Sequence, residues 1–348
     1  MHEIAEFRSD KCARPTLAML KAMTDVRWGD GQEDEGETVG ALERLATELT
    51  GKEAALFAPS GTMANQLAIH AHTRPGDEIV LDGDSHILWT EGGTASILSG
   101  VQTCALASRR GMMDLRELAR CFERRHKGAR TTLVSTENTH NMQGGLVVPL
   151  DYLKEVHALA SRHGARVHLD GARVINASVR SGIPVADYAA TADSLMFCLS
   201  KGLCAPVGSV LCGDKDFISR ARHFRERIGG MLKQPAPLAR CGIIALTTMV
   251  DRLTEDHDNA SRLAAGLKDV SGIEQHLDIE EPETNMVFMT IRQGDADAFI
   301  DELAGQRVRA YHISGGRMRF VTHNDIDAED VDRTVKVFEK LLPRKDSG

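Results

Sequence analysis

The sequence predicts an α/β fold, a mixed but mostly parallel sheet with helices on both faces, followed by a small C-terminal α+β domain. Two observations carry this. From residue 38 onward, apolar runs of strand length alternate with stretches of helical periodicity, the pattern of strands joined by crossover helices. The chain of 348 residues also exceeds one ordinary core, and its last elements form a separate short series, so it divides into a large domain, 1–253, and a small one, 254–348.

Thr38 is placed to cap a helix in which Val39, Leu42, Leu45, Ala46 and Leu49 recur at helical spacing until Gly51 supplies a stop. A strand at 54–58 meets the turn PSGT at 59–62, and a helical pattern runs from Met63 through Ile69. Strands follow at 78–81 and 131–136, then a helix at 152–163 closed by Gly164, then a buried strand at 166–169. The apolar runs 194–199 and 207–212 flank Lys201 with so short a link that the second is expected antiparallel to the first. A long helical pattern ends near Leu253. The small domain reads as a strand at 286–291, a helix at 296–303, a strand at 318–322 and a last helix capped by Asp327. With no repeat and no long linker, the two domains are expected to share an interface.

A formal net charge of -8 argues against a nucleic-acid partner, which would need clustered Lys and Arg, and aromatics at 4% are too sparse for stacking on single strands. No run approaches the roughly 20 apolar residues that cross a bilayer. The start MHEIAEFRSDK carries charge where a signal peptide would be apolar, so cytoplasmic residence without a membrane partner is expected. The seven cysteines are odd in number and scattered, with no CxxC pair, as reduced thiols would be. His70 and His72 stand too close for the i,i+4 geometry of HExxH, and no metal is expected.

Three segments carry chemistry. In PSGTMAN, Ser60, Gly61 and Thr62 open a helix, where free N–H groups, hydroxyls and the positive dipole end can cradle a phosphate; an ordinary helix cap is the plainer alternative. In HLDGAR at 168–173, Asp170 follows a buried strand at the edge where open α/β sheets place ligands. A carboxylate there can keep a pyridinium nitrogen protonated, or simply cap a loop. Lys201 follows the apolar run SLMFCLS and precedes Gly202. A partly desolvated lysine is a Schiff-base nucleophile, whereas most lysines at strand ends are solvated charges.

Along nearly its whole length the chain resembles the L-threonine aldolase family of the fold-type-I, aspartate-aminotransferase-like pyridoxal phosphate (PLP) enzymes, within the β-eliminating lyase and threonine aldolase superfamily. The resemblance rests on FRSD at 7–10, GKEAALFAPSGTMANQLA at 51–68, DSHILWTEGG at 84–93, ENTHN at 137–141, HLDGARVINA at 168–177, FCLSKGLCAPVGS at 197–209 and MRFVTH at 318–323. It implies that Lys201 forms the Schiff base with PLP and that Asp170 pairs with the ring nitrogen. Ser60, Gly61 and Thr62 would hold the phosphate, His86 would stack on the ring, and Ser9, Arg173 and Arg319 would grip the substrate carboxylate, Arg173 also bordering the cofactor. His126 matches a second family histidine with a one-residue offset, which would make it substrate-binding, the alternative being a solvated loop histidine, and the expectation for His140 is a structural role. A homotetramer, a dimer of dimers, is implied as well.

The implied reaction is retro-aldol cleavage of a β-hydroxy-α-amino acid, L-threonine or L-allo-threonine, to glycine and an aldehyde, with His86 as first choice for the proton transfer. Rivals are an aldolase for a bulkier substrate such as phenylserine, and a PLP β-eliminating lyase. A PLP-fold binding protein without turnover is disfavoured by the joint presence of Lys201, Asp170 and His86. Three stretches depart from the family pattern: DGQEDEGET at 30–38 in place of DDVYGEDPT, GGMLKQ at 229–234, with Lys233, in place of GGGMRQ, and KCARP at 11–15 in place of TVTRP. The acidic loop at 30–38, with Glu33, Asp34, Glu35 and Glu37, is either a solvated surface or a wall that disfavours anionic β-substituents.

Overall fold

The computed structural model describes residues 4–26, 36–123 and 128–342. Seven strands form the main sheet: β1 (Ala54–Ala58), β2 (Glu78–Asp82), β3 (Gln102–Leu106), β4 (Thr131–Glu137), β5 (Arg166–Asp170), β6 (Ser194–Cys198) and β7 (Ser209–Gly213). Their spatial order is β1-β7-β6-β5-β4-β2-β3. β7 runs antiparallel to both of its neighbours, as the short link after β6 requires, and the remaining pairs are parallel.

Each strand feeds two cores by alternation. Leu195 and Phe197 of β6 point into a cluster with Phe57, Leu169 and Val210, while Met196 and Cys198 point into another with Leu56 and Leu211. Helix residues Leu42, Val156 and Ala239 close the first core, and Leu67 and Phe217 close the second. Burial on both faces is why the central strands read as unbroken apolar runs. β3 was not foreseen: it is a half-exposed edge strand, QTCAL, without an apolar run to betray it.

Two expectations are corrected. Thr38, read as a cap, lies within the first turn of the helix Gly36–Thr50. The long helical pattern ending near Leu253 is broken in the structure into Lys215–Arg227, Ala236–Thr248 and Leu253–Lys268, so Leu253 opens a helix instead of closing one. Gly229, at φ 77°, and Pro235 interrupt the pattern where periodicity alone saw continuity.

The second sheet orders β8 (Leu277–Ile279), β9 (Met286–Ile291), β10 (Tyr311–Ser314) and β11 (Arg317–Val321) as β8-β9-β11-β10, all antiparallel. The helix Leu253–Lys268 straddles the two bodies: Leu253 packs in the core of the main sheet, while Ala260, Leu263 and Leu267 pack in that of the second. Asp327 caps the last helix, Ala328–Leu341, its Oδ1 accepting from Asp330 N at 2.8 Å. The amino terminus belongs with this body too. Ala5–Glu6 pairs in parallel with Val308–Arg309, Phe7 N donates to Arg309 O at 2.7 Å, and Phe7 O accepts from Val321 N at 2.8 Å. Among the described residues no helix is long and apolar enough to cross a membrane.

Candidate active site

Two cavities, of about 370 and 170 Å³, open side by side at the carboxyl ends of β5 and β6, and Lys11, His86 and Lys201 line both. The smaller one is floored by the turn after β1. Ser60 is extended, at φ -151° and ψ 160°, and its hydroxyl accepts from Met63 N at 3.1 Å, which starts the helix Gly61–His72. A Cβ on Gly61 would lie 2.8 Å from Met196 Cε and 3.0 Å from Cys198 Sγ, so a larger residue would have to displace the flexible Met196 side chain where this helix end meets β6. Ser60, Gly61 and Thr62 line the same cavity, at a helix start whose first N–H groups have no intrahelical acceptor.

Asp170 ends β5 fully buried. Its Oδ2 accepts from Asn65 Nδ2 at 2.8 Å and its Oδ1 from Ala172 N at 3.1 Å. Burial raises its pKa, but His86, Lys201 and the Asn65 donor outweigh burial and hold the carboxyl below its ordinary range. The Asn65 amide also donates to Glu91 Oε1 at 2.9 Å, which leaves its carbonyl to accept from His168 Nε2 at 3.0 Å. His168 Nδ1 lies 2.9 Å from Ser194 Oγ, and burial brings this imidazole down to about 4, so it is neutral at pH 7. Asp170 therefore receives a fixed neutral donor from behind and keeps its charge for the cavity.

His86 opens the short helix His86–Trp89, its N–H donating to Glu137 Oε2 at 2.7 Å and its Nδ1 lying 3.0 Å from Glu91 Oε1. Burial pulls its pKa down, yet the hydrogen bond to Glu91 and the charges of Asp170 and Glu91 leave it raised. His86, Glu91 and Asp170 offer ligand atoms within 4.8 Å of one another, but those atoms already serve the hydrogen bonds just described.

The larger cavity holds the cations. Arg173 gives Nε to Asp10 Oδ2 at 2.6 Å and Nη2 to Asp10 Oδ1 at 2.7 Å, a buried bidentate pair that holds the Asp10 carboxyl well below the usual range against the cost of burial. Arg319, on β11, donates only to neutral oxygens, Asn141 Oδ1 at 3.0 Å and Arg8 O at 3.1 Å, and its buried Nε has no partner among the described residues. Burial and the charge of Arg173 bring its pKa down to about 10. Among the described residues this planar guanidinium has an open donor and no ion-pair partner, an arrangement that can accept a carboxylate. Ser9, buried beside it, caps the turn Asp10–Cys12.

Residues 6–293 match the family model described as Beta-eliminating lyase. The chain belongs to that family. It is 36% identical to low-specificity L-threonine aldolase 1 of Arabidopsis thaliana, over 97% of this chain and 96% of the relative. It is 37% identical to the low specificity L-threonine aldolase of Escherichia coli K12, over 97% and 99%. The solved structure of Leishmania major threonine aldolase shares the fold with a TM-score of 0.84 at 22% identity, covering 97% of this chain and 100% of that one. The chain is thus a lyase of the fold-type-I, PLP-dependent class.

Within this family fold the structure brings Ser9, Ser60, Gly61, Thr62, His86, Asp170, Arg173, Lys201 and Arg319 onto the walls of the paired cavities. His126 and residues 30–35 of the acidic loop lie outside the described residues, and Lys233 is exposed in the loop before Ala236–Thr248. His140 is buried 3.2 Å from Asp82 Oδ2 and lines neither cavity. Sequence reasoning missed Asp10, Lys11, Asn65, Glu91 and Asn141. Four of them sit inside segments already singled out, FRSD, PSGTMAN, DSHILWTEGG and ENTHN; Glu91 meets His86 within its own segment, but the contacts of Asp10 with Arg173, of Asn65 with Glu91 and Asp170, and of Asn141 with Arg319 span 26 to 178 positions and leave no local trace.

Proposed function

We propose that the smaller cavity holds PLP and that the chain cleaves the Cα–Cβ bond of a β-hydroxy-α-amino acid, L-threonine or L-allo-threonine, releasing glycine and acetaldehyde. The observation that carries the reading is the convergence on one cavity of an amine, Lys201, a buried ionised carboxylate, Asp170, and the free N–H groups of the 60–62 turn. These donors fit the group. Ser60 to Thr62 suit the phosphate, Asp170 suits the protonated ring nitrogen, and Lys201 supplies the carbonyl-reactive amine. When bound, PLP supplies an electron sink for the pair left on Cα.

The protein's own residues do the rest. Arg319, through its open Nε, Ser9 and the Asp10-braced Arg173 orient the substrate carboxylate and so set which Cα bond faces the ring. His86, held by Glu91 over the cavity shared with Lys201, takes the β-hydroxyl proton, directly or through a water. A second reading, cleavage of a bulkier β-hydroxy amino acid such as phenylserine, is favoured by the apolar wall of Trp89, Met142, Tyr311 and Ile313 around the larger cavity. Residence in the cytoplasm and assembly as a homotetramer belong to the same proposal; exposed Leu17, Leu20 and Ile97 are apolar surface that partner copies would cover.

The test is a panel of L-threonine, L-allo-threonine, their D forms and phenylserine with purified protein, reading glycine release, together with borohydride reduction and peptide mapping. Reduction is expected to fix the cofactor on Lys201, and Lys201→Ala to lose the visible band and at least about a thousandfold in turnover. Label on another lysine, or no glycine from any substrate, would overturn the reading.

A further inference from the structure

The two cavities share one residue for which neither the ring site nor the carboxylate grip accounts. Lys11, in the turn Asp10–Cys12, lines both and stands in the KCARP stretch that departs from the family pattern. Its surroundings are cationic: Lys201, Arg173 and Arg319 all act on its ammonium. The nearest carboxylate, Asp10, is committed, with both oxygens taken by Arg173 and Oδ2 also accepting from Asn285 Nδ2 at 3.3 Å. The Lys11 ammonium has no hydrogen-bond or ion-pair partner among the described residues, although its backbone N–H donates to Ser9 Oγ at 3.3 Å. A cation placed among cations and left without a carboxylate is destabilising until an anion arrives.

Which anion follows from the charge already assigned. On the substrate side the α-carboxylate has Arg319, whose Nε is open, and Ser9 beside it. On the cofactor side the 60–62 turn offers hydroxyls and backbone N–H groups, which carry only partial charge against a phosphate of nearly two negative charges. Asp170 and His86 line the same cavity, and Lys201 would be consumed in the covalent link. Among the described residues lining that cavity, Lys11 is the cation left over.

We propose that Lys11 is a positioning residue that clamps the phosphate of the cofactor from the amino-terminal segment, closing the neutral 60–62 cup with a full positive charge. It thereby ties cofactor retention to the docking of residues 5–11 on the small domain, through the pairing of Ala5–Glu6 with Val308–Arg309. The inference rests on the PLP reading above, and its test is chosen to separate the two.

The full-length chain, freed of cofactor, is titrated with PLP and with pyridoxal, which lacks the phosphate, and binding is read from the visible band. Lys11→Thr is expected to weaken PLP about ten- to hundredfold, the usual worth of a charge-assisted hydrogen bond, while pyridoxal stays within about twofold. Lys11→Arg is expected to restore most of the PLP affinity, and high salt to narrow the difference between wild type and Lys11→Thr. Equal loss for PLP and pyridoxal, or no loss for either, overturns the proposal. So does unchanged PLP affinity with a selective loss of kcat/KM on a β-hydroxy amino acid bearing a second carboxylate, which assigns the ammonium to substrate. Wild type that binds neither compound overturns the cofactor reading itself, a different result from two compounds bound with an unmoved ratio.

Discussion

The 60–62 turn of the smaller cavity and the buried charge cluster of the larger one are built in opposite ways. The turn is three consecutive residues, Ser60 to Thr62, at the start of the helix after β1, shaped by a serine cap, a glycine packed beside Met196 and Cys198 of β6, and the unpaired N–H groups of any helix start. The charge cluster joins Ser9 and Asp10 from the amino-terminal segment, Arg173 from the loop after β5, Asn141 from the loop after β4, and Arg319 from β11. The first is local physics and tolerates damage. The second is a buried charge network in which each member depends on a partner from a distant segment, so its loss should be costlier and should depend on pH.

Asp10→Asn tests this contrast hardest. It leaves Arg173 buried without its counter-ion, and urea unfolding at pH 7 is expected to show a loss of about 3–5 kcal/mol. The sign in pH follows from the lowered folded pKa of Asp10. Its stabilisation is present in full above the unfolded value of about 3.9 and is lost as pH falls toward the folded value, so the gap between wild type and variant should hold from pH 7 to about 5 and shrink below about 4. A gap under about 1 kcal/mol at pH 7 would place this pair among surface ion pairs and erase the contrast.

Arg319→Lys keeps the charge and removes the planar fork. Steady-state kinetics should show KM for the amino acid rising about 10- to 100-fold with a smaller change in kcat, because the contact is made equally in ground and transition states. A fall confined to kcat would move Arg319 from binding to chemistry. Next in size is Glu91→Gln, which takes the charged partner from His86. With His86 raised in the wild type and acting as neutral base, its pKa should drop and the acid limb of the kcat/KM profile should move about one unit toward lower pH. An immobile limb would give the titration to another group.

Ser60→Ala should be the mildest. Loss of the cap hydroxyl costs about 1 kcal/mol in urea unfolding, with no dependence on pH between 5 and 8, and PLP binding weakens only modestly because the backbone N–H groups remain. If Ser60→Ala proved as damaging as Asp10→Asn, the local and the assembled parts of the site would have to be regarded as one network.

The amino-acid sequence by itself determined what depends on neighbours along the chain. It marked the alternation that builds a mostly parallel sheet, the antiparallel turn-back after Lys201, the Ser60 cap with its glycine, and Asp170 and Lys201 at the ends of buried strands, because burial and turns leave period, run length and small residues in the string. It did not reveal β3, an edge strand with too little burial to need an apolar run, nor the breaks that divide the helical pattern before Leu253. Only the tertiary structure decided that Asp10 neutralises Arg173, that Asn65 links His168 and Glu91 to Asp170 through its amide, and that Lys11 stands near Lys201 and Arg319 without an ion pair among the described residues. The physical reason is range. Propensity and periodicity act over a few residues, whereas a buried charge must find its counter-charge in space, and for Arg173 that partner lies 163 positions away.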